Sequence, residues 1–191
     1  STAKTFTLKY ASGSTSNITE PSKTTTTTVE LTPTTKGTTS TAAITQSAMA
    51  DTLSKALAAA KEAGTGAGLE IKVNAPTTAT EVRTGIPTAS VASAVSEGIT
   101  TLSVNTPVGT VQLNTAALSS VAQQAGSNGS VTVSVKKVDT TTLTAEQQKL
   151  VSGGTVVEVG ITAGSQSVTR LGGGTAAITV PAGTVKSGQT A

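Results

Sequence analysis

The chain contains no cysteine and no histidine among its 191 residues. Without cysteine there is no disulfide framework, no thiolate metal site and no cysteine nucleophile. Without histidine there is no Ser-His-Asp triad, no histidine-based zinc motif and no imidazole acid–base catalysis. Aromatic residues are almost as scarce: one Phe, one Tyr and no Trp. An aromatic-lined groove or stacking platform cannot be built from two rings. Charged residues make up only 12% of the chain, with 13 cations against 10 anions. Lys136-Lys137 is the one cationic pair, and Arg occurs only at Arg83 and Arg170. Nucleic-acid binding, which concentrates Lys and Arg on one face, is not expected. No run approaches the roughly 18 consecutive apolar residues of a membrane span, so no membrane insertion is expected.

What remains is Thr, Ser, Gly and small aliphatic residues. A core of Ala, Val, Leu and Ile can form, and Thr suits the solvent face of strands. The pattern along the chain is strand-rich. Phe6, Leu8 and Tyr10 alternate with Thr5, Thr7 and Lys9, the period of a half-buried strand. Thr24 to Thr32 reads as a second extended segment, with a Thr-rich or O-glycosylated linker as its alternative. A third runs from 38 to 44. Thr45 can cap a helix carrying Met49, Leu53, Ala56, Leu57 and Ala60, ended by Gly64 and Gly66. Strands follow at Leu69-Ile71-Val73 and Val82-Thr84-Ile86. A short helix spans Thr88 to Glu97. Next come strands at Leu102-Val104 and Val111-Leu113 around an Asn105-Thr106-Pro107 turn. Asn114 can cap a helix over 115–125, and Val131, Val133 and Val135 form another strand. Thr144 and Gln147 are spaced as a capping box. A hairpin is expected from Val157-Val159-Ile161 to Val168 onward, then a break at Gly172 to Gly174 and a late strand at Ala176-Ile178-Val180. Two units, one from Thr88 and one from Thr115, echo each other as cap, helix, glycine and strand, without the regularity of a solenoid. The expected class is α+β: antiparallel or mixed sheets, three to four short helices and extended Thr-rich N-terminal strands. The chain divides into a Thr-rich segment, 1–36, and an α+β domain, 37–191.

Each candidate for chemistry has a plainer reading. Ser54-Lys55 and Ser22-Lys23 are adjacent pairs without the Ser-x-x-Lys spacing of a serine–lysine dyad. Glu70 and Glu81 could face each other across neighbouring strands as a glycosidase pair, but alternation puts Glu70 on a polar face with Lys72. No Lys-Ser/Thr follows Gly172 to Gly174, so that run is a turn or bulge rather than a phosphate loop. Asp51 and Asp139 stand alone, which leaves no calcium loop. Asn17-Ile18-Thr19 and Asn128-Gly129-Ser130 match the glycosylation sequon, the second being more simply a turn. No enzyme, no cofactor and no metal is expected.

Several segments, kept in order over about 150 residues, carry a family resemblance: Thr41-Ala42-Ala43-Ile44-Thr45, Leu69-Glu70-Ile71-Lys72-Val73, Ile86-Pro87-Thr88-Ala89-Ser90-Val91, Thr106-Pro107-Val108-Gly109-Thr110-Val111-Gln112-Leu113-Asn114, Leu143-Thr144-Ala145-Glu146-Gln147-Gln148, Leu171-Gly172-Gly173-Gly174-Thr175, and Val180-Pro181 before Lys186-Ser187-Gly188-Gln189. Residues 37–191 resemble the domain that precedes S-layer homology repeats in surface proteins of clostridial and related Gram-positive bacteria. The resemblance implies an extracellular structural or spacer role without catalytic residues. The anchoring repeats themselves are absent here. The family continues past the Lys-Ser-Gly-Gln position into an aromatic strand that this sequence does not contain.

Function is therefore expected to be structural: a secreted subunit or spacer of a bacterial surface layer or fibre, with copies of itself as partner. The alternative is an adhesin recognising wall polymer, glycan or a host surface. A strand missing near the C-terminus would leave a sheet edge open, and an open edge is a template for another strand. Phe6, Leu8 and Tyr10 are the candidate assembly residues. Their strand either fills the edge of a neighbouring subunit or docks in its own domain.

Overall fold

Apolar alternation at period two builds most of the molecule. The computed structural model describes residues 4–8, 23–126, 129–151 and 154–181. Its elements, in order, are β1 (Lys4–Leu8), β2 (Thr24–Leu31), β3 (Thr34–Lys36), β4 (Thr39–Ala43), α1 (Gln46–Ala63), β5 (Gly66–Val73), β6 (Glu81–Pro87), α2 (Thr88–Ser96), β7 (Ile99–Asn105), β8 (Thr110–Asn114), α3 (Thr115–Ala125), β9 (Ser130–Lys137), α4 (Ala145–Val151), β10 (Val157–Ala163), β11 (Gln166–Ser167) and β12 (Ala176–Val180). They form two six-stranded sheets. The first has the order β1-β12-β8-β7-β5-β2 and the second β11-β10-β9-β6-β4-β3.

The class is α+β, and both sheets are mixed. Parallel pairs are β2–β5, β5–β7 and β4–β6. They arise where a helix returns the chain between strands, since parallel neighbours need a long crossover. The chain changes sheet at β2/β3, β4/β5, β5/β6, β6/β7, β8/β9 and β11/β12. Helix α1 lies on β2 and β5, whereas α2 and α3 touch strands of both sheets and each other. The inner faces share one core: Leu69 and Ile71 from the first sheet, Val82 and Val133 from the second, and Met49, Val91 and Leu118 from the helices. The core that the described residues form is built of small aliphatic side chains and one Met.

The caps act as the sequence predicts. The Thr45 hydroxyl accepts from the Ala48 N–H, and Gly64 ends α1 in the left-handed conformation at φ 64°. The Asn114 side chain caps α3, and Thr144 and Gln147 form a reciprocal box at α4. Thr88, expected to be a cap, is instead the first residue of α2, which follows Pro87 without a side-chain cap. Strand β3, unforeseen in the sequence, pairs with β4 in a hairpin that spans the 36/37 boundary drawn above. β11 is only two residues long, though the Val168 N–H still donates to the Ile161 carbonyl at 2.8 Å. Tyr10, Asn17, Asn128 and residues 182–191 lie outside the described residues.

Candidate assembly site

The first sheet places its latest described strand, β12, between β8 and the earliest strand, β1. β12 is reached by a strap, residues 170–175, that crosses from the second sheet to the first over α3. The Arg170 carbonyl accepts from Ser120 Oγ at 3.0 Å and from Gln124 Nε2 at 2.7 Å. Leu171 is buried, and its carbonyl accepts from the Gly174 N–H. A Cβ on Gly174 would overlap the backbone of Ala116 and Ala117, so only glycine lets the strap lie this close to the helix. At the end of the strap, Asn114 Oδ1 accepts from both Ala117 N–H and Thr175 N–H, each at 3.0 Å. One amide oxygen thus caps α3 and sets the start of β12. Sequence reading took the Gly172 to Gly174 run for a turn and missed this contact surface, for which the run of glycines was the available signal.

β12 pairs with β8 on one side through Ala176↔Leu113 to Thr179↔Thr110. On its other side lies β1, antiparallel, with Lys4↔Val180, Thr5↔Thr179, Phe6↔Ile178, Thr7↔Ala177 and Leu8↔Ala176. Ala176 is buried and Ile178 and Val180 are half-buried. Of the three candidate assembly residues, Phe6 and Leu8 therefore occupy register positions beside the apolar residues of β12. Within the chain, the strand docks on its own sheet.

The position of β1 relative to the next element is unusual. β1 and β2 follow each other in sequence but form opposite edges of the same sheet. Following the pair directions from β1 through β12, β8, β7 and β5 shows that β1 runs opposite to β2. The end of β1 and the start of β2 consequently lie at the same end of the sheet. Five strand places separate them, about 24 Å at the usual spacing. The roughly fifteen intervening residues can reach about 50 Å when extended, which covers that span.

The outer face of this sheet is a hydrogen-bonded polar array. Glu30 accepts from Lys72 Nζ and from Asn74 Nδ2, both at 2.9 Å. Glu70 accepts from Thr28 Oγ1 and Asn105 Nδ2, both at 2.8 Å, and Thr110 Oγ1 donates to Asn105 Oδ1. The Lys72 ammonium and the Asn74 amide hold the Glu30 carboxyl below its ordinary value. Glu30 in turn raises Lys72. Lys72 and Asn105 are register partners on β5 and β7, and Lys72 is engaged by Glu30.

Glu70 and Glu81, set aside above as a glycosidase pair, do not face each other. Glu70 lies on β5 of the first sheet and Glu81 on β6 of the second, where it pairs with Arg83 at 2.6 Å. Alternation within each strand was legible, but whether the two strands were neighbours was not. Among the described residues, no group of three His, Cys, Asp or Glu side chains could hold a metal ion. No helix among them is long and apolar enough to cross a membrane. An open pocket lined by Thr140, Thr141, Gln148 and Val151 offers no ionisable side chain. Comparison with protein-family models, curated proteins and solved structures returned no match.

Proposed function

We propose that this chain is a non-enzymatic, extracellular structural subunit or spacer of a bacterial surface layer or fibre. It assembles head-to-tail with copies of itself through its N-terminal strand. The observation that carries the reading is the separation of β1 from β2. A short strand that closes the β12 edge is tethered to the opposite edge of the same sheet. Such a strand can leave its own edge and fill the same edge on another copy. Unlike partner edges that do not close on themselves give an open filament. The Thr-rich, charge-poor composition and the resemblance to the domain preceding S-layer homology repeats support the extracellular, structural side of the reading.

The rival reading is an adhesin or a module binding wall polymer or glycan. The polar array from Glu30 to Asn105 is the surface it would use, since aligned carboxylates and amides can hydrogen-bond sugar hydroxyls. Deleting residues 1–10 separates the two. Electron microscopy of the intact protein should show filaments or a lattice, and the truncated protein should stay dispersed. Assemblies of unchanged length and stability after truncation would overturn the proposal. A dispersed intact protein that binds glycan would favour the rival.

A further inference from the structure

We infer that the β12 edge is a preformed acceptor for one kind of partner: a short strand of a second copy, apolar at alternate positions, added antiparallel in the register that β1 holds in its own chain. The inference rests on the self-assembling reading above, and names what the edge recognises and what keeps it in position.

Recognition follows from rows of register partners that cross the first sheet. One row runs Val29, Ile71, Val104, Val111, Ile178 and Phe6. Another runs Leu69, Leu102, Leu113, Ala176 and Leu8. Between them, at the positions that alternate to the opposite face, lie Glu70, Ser103, Gln112, Ala177 and Thr7. The first apolar row is sealed at Val104 and Val111, each 1% exposed, but only half-buried at Ile178. It reaches β12 as an apolar row that the next strand has to continue. A polar residue placed beside Ile178 or Ala176 would lose water and gain no hydrogen bond from either side chain. Phe6 and Leu8 hold those two places, with Thr5 and Thr7 beside Thr179 and Ala177. A slip of one residue would bring threonines beside Ile178 and Ala176, so the register is specified.

The acceptor does not take its place from β1. On its other side β12 pairs with β8. Its start is fixed by the two hydrogen bonds between Asn114 and Thr175, and by the close approach of Gly174 to the backbone of α3. Upstream, Leu171 is buried, and Ser120 and Gln124 both donate to the Arg170 carbonyl. None of these contacts involves β1. When β1 leaves, the edge stays in position, which spares an incoming strand the cost of ordering its acceptor. A strand from the same chain and one from a second copy make the same five register pairs. Exchange therefore alters the tether and not the contacts.

A fluorescent peptide of residues 1–10 supplies the strand in trans. Its receptor is the full chain carrying Phe6→Pro/Thr7→Pro. Alternate residues of an edge strand turn their N–H toward the neighbour, so one of two adjacent prolines must remove a hydrogen bond between β1 and β12. The variant should keep its cooperative thermal melt and bind the peptide, read by fluorescence anisotropy. A Phe6→Thr/Leu8→Thr peptide should bind at least about tenfold more weakly. Excess unsubstituted peptide should shorten the filaments of the intact protein. Equal affinity for the two peptides, or no binding to the folded variant, would overturn the inference. Should the proline variant lose its melt, the full chain carrying Phe6→Thr/Leu8→Thr takes its place as receptor. Loss of the melt in that chain too would show that β1 holds β12 in position, and would overturn the inference. Selective peptide binding by an intact protein that stays dispersed would support the acceptor and overturn the filament.

Discussion

Asn114 and Thr175 exchange two hydrogen bonds: the Asn114 N–H donates to the Thr175 carbonyl at 3.2 Å, and the Thr175 N–H donates to Asn114 Oδ1 at 3.0 Å. The same Oδ1 caps α3 through Ala117 N–H. The junction of strap, helix and β12 thus depends on one side-chain oxygen. Asn114→Ala should cost about 2 kcal/mol, combining a lost cap of ~1 kcal/mol with a part-buried amide left unpaired. Asn114→Asp keeps an acceptor at that point and should cost markedly less. Urea denaturation of the three proteins checks the order. Equal losses for Ala and Asp would show that the oxygen is not what matters.

The three glycines of the strap should not be equivalent. Gly173 has φ 80° and open space around its Cβ position, so Gly173→Ala carries only the left-handed backbone penalty, about 1–2 kcal/mol. A Cβ on Gly174 meets backbone atoms of α3, which cannot rotate away. Gly174→Ala should therefore cost at least about 3 kcal/mol, the upper range for overpacking. A thermal melt in which the 174 variant is the more stable of the two would contradict this packing.

Thr84 is wholly buried on β6, and its hydroxyl has no hydrogen-bond partner among the described residues. An unsatisfied buried hydroxyl is a liability, and a methyl of similar shape removes it. Thr84→Val should raise stability by about 1 kcal/mol, a shift of roughly 0.5 M in the urea midpoint. A fall in the midpoint would mean that the hydroxyl is satisfied in solution.

Glu30 and Lys72 give a pH dependence of defined sign. The Glu30 carboxyl lies below its ordinary value of 4.5, so its contribution is complete above that value and is lost as pH falls through the lowered one. Lys72 lies above its ordinary 10.5, so its contribution is complete below that value and is lost as pH rises through the raised one. Both groups are exposed, and the effect on stability is small. The sharper measurement is a carboxyl titration by NMR. Lys72→Gln should move the Glu30 titration upward, toward its ordinary value. An unmoved titration would show that the ion pair does not form in solution.

Local pattern made much of the fold readable. The alternation of Leu69, Ile71 and Val73, the caps at Thr45 and Asn114, and the Thr144–Gln147 box each depend on residues a few places apart, where sequence and geometry coincide. What stayed hidden was tertiary. Nothing local to Thr24–Leu31 says that it lies parallel to β5, because α1 supplies the crossover that makes this possible. Nothing near Gly174 says that Ala117 will lie against it. The same blindness left open whether Glu70 and Glu81 lay on neighbouring strands, although alternation already argued against a catalytic pair. The candidate site was half visible: the alternation of Phe6 and Leu8 marked a strand, but its neighbour β12 and its distance from β2 are properties of the whole sheet.

The repeated passage of the chain between the two sheets has a mechanical consequence. The layers are laced together, since the backbone itself crosses between them at six points from β2/β3 to β11/β12. A load that slides one layer over the other would have to draw covalent chain through the core at each crossing. β1, an edge strand at the margin of the lacing, can be peeled off one hydrogen bond at a time. Under tension such a body should yield first at its seams and keep its interior intact.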